Sequence, residues 1–214
     1  MAHDFPLFGD PSQPHGPSGP TRAEVLAAVE ARLITAFGEP SGRAAITFLG
    51  AERIEVLRFG PDAEGLVRYA TLGMAAAPMA DPTATLTDPV RGPRAELLLT
   101  LRGARDDVLR ALATFAATPQ VEGLVVAPGS SLDLGAPLWE GAPFTSVLAA
   151  ESGGLIEDLA LDEPADPVRF LPLLPMTPNE AAHKRVHGAA ALEQRWLERG
   201  IDLRDPQRRG VALD

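Results

Sequence analysis

Three side chains near the end of the chain have the spacing of metal ligands. Glu180, His183 and His187 are three and four residues apart, so a helix would present them on one face. Carboxylate and imidazole ligands of this kind can hold zinc. The spacing differs from the metalloprotease motif, in which glutamate directly follows the first histidine, and Lys184 and Arg185 would repel a cation. We therefore expect a solvated helix face with no metal and no other cofactor.

A second charged group follows, in which Arg204, Arg208 and Arg209 alternate with Asp202 and Asp205. The three arginines could bind an anion. Alternatively, the five side chains form a salt-bridged cap on the domain, in which each exposed pair contributes about 0–1 kcal/mol. We expect the structural role, and anion binding stays open beside it.

No spacing in the sequence matches a catalytic motif. The Gly-x-Ser-x-Gly elbow, the Gly-x-Gly-x-x-Gly fingerprint and the P-loop pattern are all missing. The adjacent carboxylates of Asp106 and Asp107 are explained by a helix start, where negative charge is favourable. The chain has no cysteine, which excludes disulfides and thiolate metal sites. These observations predict a protein that is not an enzyme.

The elements that position these residues begin with clear helix signals. Thr21 and Thr177 each stand three residues before a glutamate, which is the capping-box pattern of a helix start. Pro178 suits the first helical position, and Gly200 can close the helix that follows. A further amphipathic segment begins near Arg105. The predicted helices cover residues 21–37, 105–117 and 177–199.

Apolar and alternating segments between the helices predict a sheet. Pro137 makes residues 134–139 an edge strand, because proline cannot donate to a neighbouring strand. The order shows no regular βαβ alternation, so the predicted fold class is α+β or mixed α/β, a single domain with a mixed β-sheet flanked by helices. The predicted strands cover residues 44–49, 54–59, 65–74, 94–101, 123–127, 134–139, 155–161 and 168–174, with 144–150 as a strand or short helix.

The net charge of −10 is spread unevenly. Residues 1–20 carry −2 and residues 179–214 carry +1, which leaves −9 on the body between them. An acidic body repels phosphate backbones and attracts basic proteins, so nucleic acid is not an expected partner. Lys184 is the only lysine beside 18 arginines, a bias consistent with a GC-rich bacterial genome.

Residues 1–20 are rich in proline and glycine, which predicts a disordered tail ahead of a domain at 21–214. The tail lacks the basic start and apolar core of a secretory signal. No apolar run approaches the ~20 residues of a membrane helix. We expect a cytoplasmic protein that does not insert into membranes.

Several segments, in order, resemble the suppressor-of-fused domain family. Val67 to Met74 resembles its aromatic-x-(S/T)-x-G strand, and Phe170 to Thr177 resembles the entry to its C-terminal helix. Gly188 stands at the mid-helix glycine of the family, whereas Ala181 replaces a family glutamate. The other similar segments are residues 95–102, 108–115, 129–138, 144–150 and 201–210.

The resemblance implies a mixed α/β domain that binds protein partners and performs no chemistry. The animal member sequesters Gli transcription factors by clamping an extended peptide as an added strand. Tyr69 matches a family tyrosine near that cleft, and Met74 and Asp81 lie at and within the following Pro-rich loop. Trp139, on the predicted edge, is a further candidate because exposed aromatic residues anchor interfaces. In the alternative interpretation, Tyr69 and Trp139 pack in the core and Asp81 is only solvated.

We therefore expect a non-catalytic protein-binding module, of the immunity type that the resemblance implies for bacterial members, which sequesters a basic toxin domain. One alternative is a general scaffold that binds an extended peptide by strand addition. A second is an enzyme that binds an anion or a metal. The oligomeric state is not predicted.

Overall fold

The structure is a computed structural model that describes residues 19–80, 83 and 88–213. Asp81 and most of the predicted tail at residues 1–20 lie outside the described residues. The helices are α1 (Arg22–Phe37), α2 (Leu109–Glu122), α3 (Pro178–His187) and α4 (Ala189–Glu198). The strands are β1 (Gly42–Ile46), β2 (Ile54–Phe59), β3 (Leu66–Leu72), β4 (Arg94–Arg102), β5 (Ser131–Asp133), β6 (Ser146–Ala149) and β7 (Val168–Met176).

In the described part of the chain, the seven strands form one mixed sheet in the order β1-β2-β3-β4-β7-β6-β5. Strands β4 and β7 are parallel, and every other neighbouring pair is antiparallel. The chain therefore builds one half as a meander from β1 to β4, crosses to the far edge at β5, and returns inward through β6 to β7 in the middle of the sheet. This confirms the predicted mixed sheet flanked by helices.

Helices cover both faces of the sheet. Helix α1 buries Val25, Val29 and Leu33 against one face, together with Phe170 of β7. Met176 has the same parity along β7, so its side chain points to the same face, where it packs with α4. Helix α2 packs on the opposite face. Helices α1 and α3–α4 therefore cover the same face of the sheet. Helix α1 lies over its β2–β3 part, and α3–α4 lie over its β6–β7 part.

Both predicted capping boxes are present. Thr21 accepts a hydrogen bond from the N–H of Glu24, and Thr177 accepts one from the N–H of Glu180. The single helix predicted for residues 177–199 is wrong, because Gly188 adopts φ +90° and ψ 167° and divides it into α3 and α4. Only glycine adopts that conformation readily, so the break is encoded at this one position.

Helix α2 runs five residues further than predicted, through Pro119 to Glu122. Proline cannot donate to the carbonyl of Phe115, four residues earlier. The hydroxyl of Thr118 donates to that oxygen instead, at 2.7 Å. This compensation keeps the helix intact until Gly123, which takes the left-handed conformation and ends it.

Three strand predictions between α2 and β7 are wrong. Residues 123–127 form no strand, residues 155–161 contribute only an isolated bridge from Leu159 to Val168, and residues 134–139 are irregular. The edge strand lies instead at β5, just before the segment that contains Pro137. None of the helices in the described part of the chain has both the length and the apolarity that a membrane span requires.

Candidate functional site

Glu180, His183 and His187 do not form the solvated face of one helix that their spacing predicts. Glu180 points inward and is fully buried, whereas His183 and His187 pack against each other with their ring centroids 4.4 Å apart. Partial burial lowers the pKa of His183, and the nearby His187 and Arg195 add smaller effects in the same direction. Among the described residues, no group of three or more His, Cys, Asp or Glu side chains is arranged to hold a metal.

Glu180 is the centre of a buried network that holds the C-terminal segment. Arg208 donates from Nη1 to Oε1 at 2.7 Å and from Nη2 to Oε2 at 3.0 Å. The indole N–H of Trp196 and the backbone N–H of Val211 also donate to Oε1, at 2.9 and 3.0 Å. Burial by itself would raise the pKa of Glu180, but the hydrogen bonds from Arg208, Thr177, Trp196 and Val211 outweigh it and lower that pKa.

The three terminal arginines do not converge on one site. Arg208 is buried in the pair with Glu180, and its guanidinium carbon lies 4.7 Å from the ring centroid of Phe144. Arg204 donates to Asp202 at 2.9 Å, and Arg209 is exposed. In the described structure, the Arg204–Asp202 pair is the one ion pair within the salt-bridged cap that the sequence predicts, because Arg208 pairs with Glu180 instead.

Tyr69 and Trp139, two of the predicted partner-binding residues, lie in the core. Tyr69 is 0% exposed, and its hydroxyl oxygen accepts a hydrogen bond from the backbone N–H of Arg105 at 2.6 Å. Trp139 is 3% exposed, and the Arg105 guanidinium carbon lies 6.0 Å from its ring centroid. Arg105 therefore links these two aromatic residues, and Met74 is buried in the same core cluster. The partner role of these residues stays a prediction, and a partner would reach their side chains only after the core opens.

Glu96 on β4 is a second buried carboxylate, and no pattern in the sequence predicts its role. It accepts hydrogen bonds from the hydroxyl of Thr71 at 2.6 Å and from the N–H groups of Gly73 and Ala75 at 2.8 and 3.0 Å. No ion pair of the described residues includes it, and burial raises its pKa despite these hydrogen bonds. A Cβ at Gly73 (φ +136°) would lie 3.0 Å from the carbonyl oxygen of Arg53, so the turn that Glu96 holds requires glycine there.

The surface feature with the clearest capacity to bind a protein is the outer edge of β5. The inner side of this strand pairs with β6: the carbonyl of Ser130 accepts from Ala149 and the N–H of Leu134 donates to Thr145. Backbone hydrogen bonds of a strand alternate in direction, so the N–H and C=O groups of Ser131 and Asp133 point away from the sheet. The sequence predicts a turn just before β5, but nothing in the local pattern indicates that the edge strand begins at Ser131.

Two concave regions flank this edge. On the α2 face, an apolar groove of about 600 Å³ lies between α2 and the loop after β5. Its walls include Ala111, Leu134 and Pro137. On the α3 face, a more polar cavity of about 300 Å³ lies between β5, β6 and α3. On each face of the sheet, the edge strand therefore lies beside a concave region that can hold a side chain.

This topology is that of the suppressor-of-fused fold. A protein described as a SUFU homolog from Neisseria gonorrhoeae FA 1090 matches with a TM-score of 0.67 at 19% identity, over 88% of this chain and 97% of that one. A chain of the Sufu-Fu complex matches with a TM-score of 0.61 at 10% identity, over 90% of this chain and 92% of that one. Drosophila Suppressor of Fused matches with a TM-score of 0.60 at 10% identity, over 90% of this chain. The match spans 51% of the Drosophila chain, so this chain corresponds to about half of that protein.

The family model for suppressor of fused protein (SUFU) matches residues 50–209. The chain therefore belongs to the SUFU family, and the resemblance seen in the sequence is confirmed. No curated protein sequence matches this chain.

Proposed function

We propose that this chain is a protein-binding module that takes up an extended segment of a partner protein as an added strand along the outer edge of β5. The observation that carries the proposal is the outward direction of the backbone groups of Ser131 and Asp133. Backbone hydrogen bonds to such an edge supply affinity, and the concave regions beside it supply side-chain specificity. The similarity to a chain of the Sufu-Fu complex supports the proposal, since a protein of this fold occurs there in a complex.

The other end of the sheet is less suited to this role. Arg43 on β1 forms ion pairs with Glu30 of α1 and Glu55 of β2, so charged side chains crowd that edge. Charges of this kind are a common protection against unwanted strand pairing. The side chains of β5 that flank its free edge are the small Ser131 and the Asp133 carboxylate, which bonds to the N–H of Gly135.

The proposed partner is a protein whose net charge is positive. The body of the domain carries −9, which would speed its encounter with a basic protein. A toxin domain sequestered by an immunity-type protein is the specific form of this proposal, and a general scaffold that binds extended peptides is the broader form. The proposal includes no catalysis: Glu180 and Arg208, the charged residues that first suggested chemistry, are buried against each other.

The test is affinity capture from the native cell with a matched pair of variants at one residue. Ser131→Pro removes the outward N–H at a position where an edge strand tolerates proline, and Ser131→Ala keeps that N–H. We expect a stoichiometric basic partner to bind wild type and Ser131→Ala and to be lost with Ser131→Pro. Thermal unfolding of both variants shows whether each remains folded. Equal capture by both folded variants would refute strand addition at β5, and a toxin encoded beside the gene would distinguish immunity from scaffolding.

A further inference from the structure

The polar cavity beside β5 has a composition that the fold does not explain. It is lined by Ser131 and Asp133 of β5, Ser146 of β6, and Ala181, Lys184 and Arg185 of α3. Ser146 lies directly opposite Asp133, so both side chains project from the same face of the sheet toward α3. The cavity volume is about 300 Å³, which is sufficient for a side chain.

The charges around this cavity are not balanced. None of the ion pairs among the described residues involves Lys184 or Arg185. Asp133 is the carboxylate of the lining, and one of its oxygens already accepts from the N–H of Gly135 at 2.9 Å. Two cations thus face one carboxylate, in a domain whose body is otherwise acidic.

Ser146 supplies a second, independent indication of a ligand. Its side chain is 1% exposed, and its hydroxyl has no hydrogen-bond partner within the described structure. A buried hydroxyl without a partner is destabilising, and such groups are rare in folded proteins. Ser146 is one of the residues that line the same cavity as the two cations, so its unpartnered hydroxyl lies beside them.

We infer that this cavity binds the carboxylate side chain of an aspartate or glutamate in the segment that pairs with β5. The inference rests on the proposed strand addition, because alternate side chains of an added strand face the side on which Ser131 and Asp133 project. Lys184, Arg185 and the Ser146 hydroxyl would then donate charge-assisted hydrogen bonds to that carboxylate. The partner is thus a basic protein that presents an acidic residue within an extended segment.

Short synthetic peptides test the cavity directly. Their sequence alternates threonine and valine, and both termini are blocked. Each peptide carries glutamate, glutamine or lysine at one position, and this position is moved along the sequence from one peptide to the next. Binding is followed by the backbone amide signals of Ser131 and Asp133 in ¹⁵N-labelled full-length chain. We expect the best glutamate peptide to bind about tenfold more tightly than its glutamine counterpart. The preference should vanish in the double variant Lys184→Gln/Arg185→Gln and persist in Arg199→Gln, which changes an exposed arginine outside the cavity.

The variant Ser146→Ala separates ligand binding from structure. It removes a hydroxyl that has no partner, so the free chain should be at least as stable as wild type. It should nevertheless weaken binding of the glutamate peptide. Equal binding of glutamate and glutamine peptides, with the Ser131 and Asp133 signals still shifting, would overturn carboxylate binding in the cavity and leave strand addition in place. If no peptide shifts those signals, strand addition itself fails, and the cavity inference fails with it.

Discussion

The substitution Arg208→Met tests how strongly the buried network holds the C-terminal segment to the sheet. It removes two hydrogen bonds to Glu180, at 2.7 and 3.0 Å, and one of 2.5 Å to the carbonyl of Pro175. It also removes the cation that lies over the rings of Phe144 and Trp196, at 4.7 and 5.5 Å. The methionine fills much of the space but leaves the Glu180 carboxylate buried without a counterion.

Breaking a buried ion pair by removing one partner costs about 3–5 kcal/mol. Glu180 keeps its hydrogen bonds from Thr177, Trp196 and Val211, so we expect the lower half of that range. With a urea m-value of about 2–3 kcal/mol/M for a domain of this size, the unfolding midpoint should fall by about 1–2 M. The fluorescence of the buried Trp139 and Trp196 reports the transition.

The pH dependence gives this prediction a second readout. The pKa of Glu180 is lowered in the folded wild type, so its stabilising contribution is complete above the unfolded pKa and is lost as pH falls through the folded pKa. Without Arg208, burial dominates and the carboxyl takes up a proton at higher pH. The stability gap between wild type and variant should therefore be widest near neutral pH and should narrow in acid.

The matched control is Arg209→Met, because Arg209 is exposed, and it should change stability by no more than about 0.5 kcal/mol. A loss below about 1 kcal/mol for Arg208→Met, or a gap independent of pH, would refute this account of the network.

Two further predictions concern the buried polar groups of the other half of the sheet. Glu96→Gln should lose less stability than wild type as pH rises, because the raised pKa of Glu96 makes its ionisation unfavourable in the folded state only. Urea titrations at several pH values measure this, and parallel curves for the two proteins would contradict it. Tyr69→Phe leaves the N–H of Arg105 without its acceptor and should cost about 1–3 kcal/mol in the same assay, with partner capture unchanged. If the variant loses partner capture but keeps its stability, the Tyr69 hydroxyl contributes to partner binding, and this prediction is wrong.

Local signals make the helix starts predictable. The capping boxes at Thr21 and Thr177 depend on residues three apart, and the structure confirms both. Gly188 matches a family position, but a glycine alone does not say whether a helix continues or breaks. The extension of α2 through Pro119 depends on the hydroxyl of the preceding Thr118, which bonds to the carbonyl that proline leaves free. A rule that treats every proline as a helix breaker does not include this compensation.

Contacts between distant residues cannot be predicted in the same way. Glu180 and Arg208 are 28 residues apart, and their charges are equally compatible with an exposed salt bridge, an anion site or a buried pair. Tyr69 became a candidate through a resemblance that carries no information about its exposure in this chain. The free edge at β5 follows from the crossover that carries the chain from β4 to the far side of the sheet, before β6 and β7 lead back to its middle. This crossover is a property of the topology.

Hydrogen–deuterium exchange of the captured complex is the most direct test of the central claim, that a partner segment pairs with the outer edge of β5. The amides of Ser131 and Asp133 point away from β6 and should exchange readily in the free chain. We predict that both become protected when the partner binds, whereas the amide of Leu134, already bonded to Thr145, changes little. Protection confined to another surface, with Ser131 and Asp133 exchanging as before, would contradict the claim.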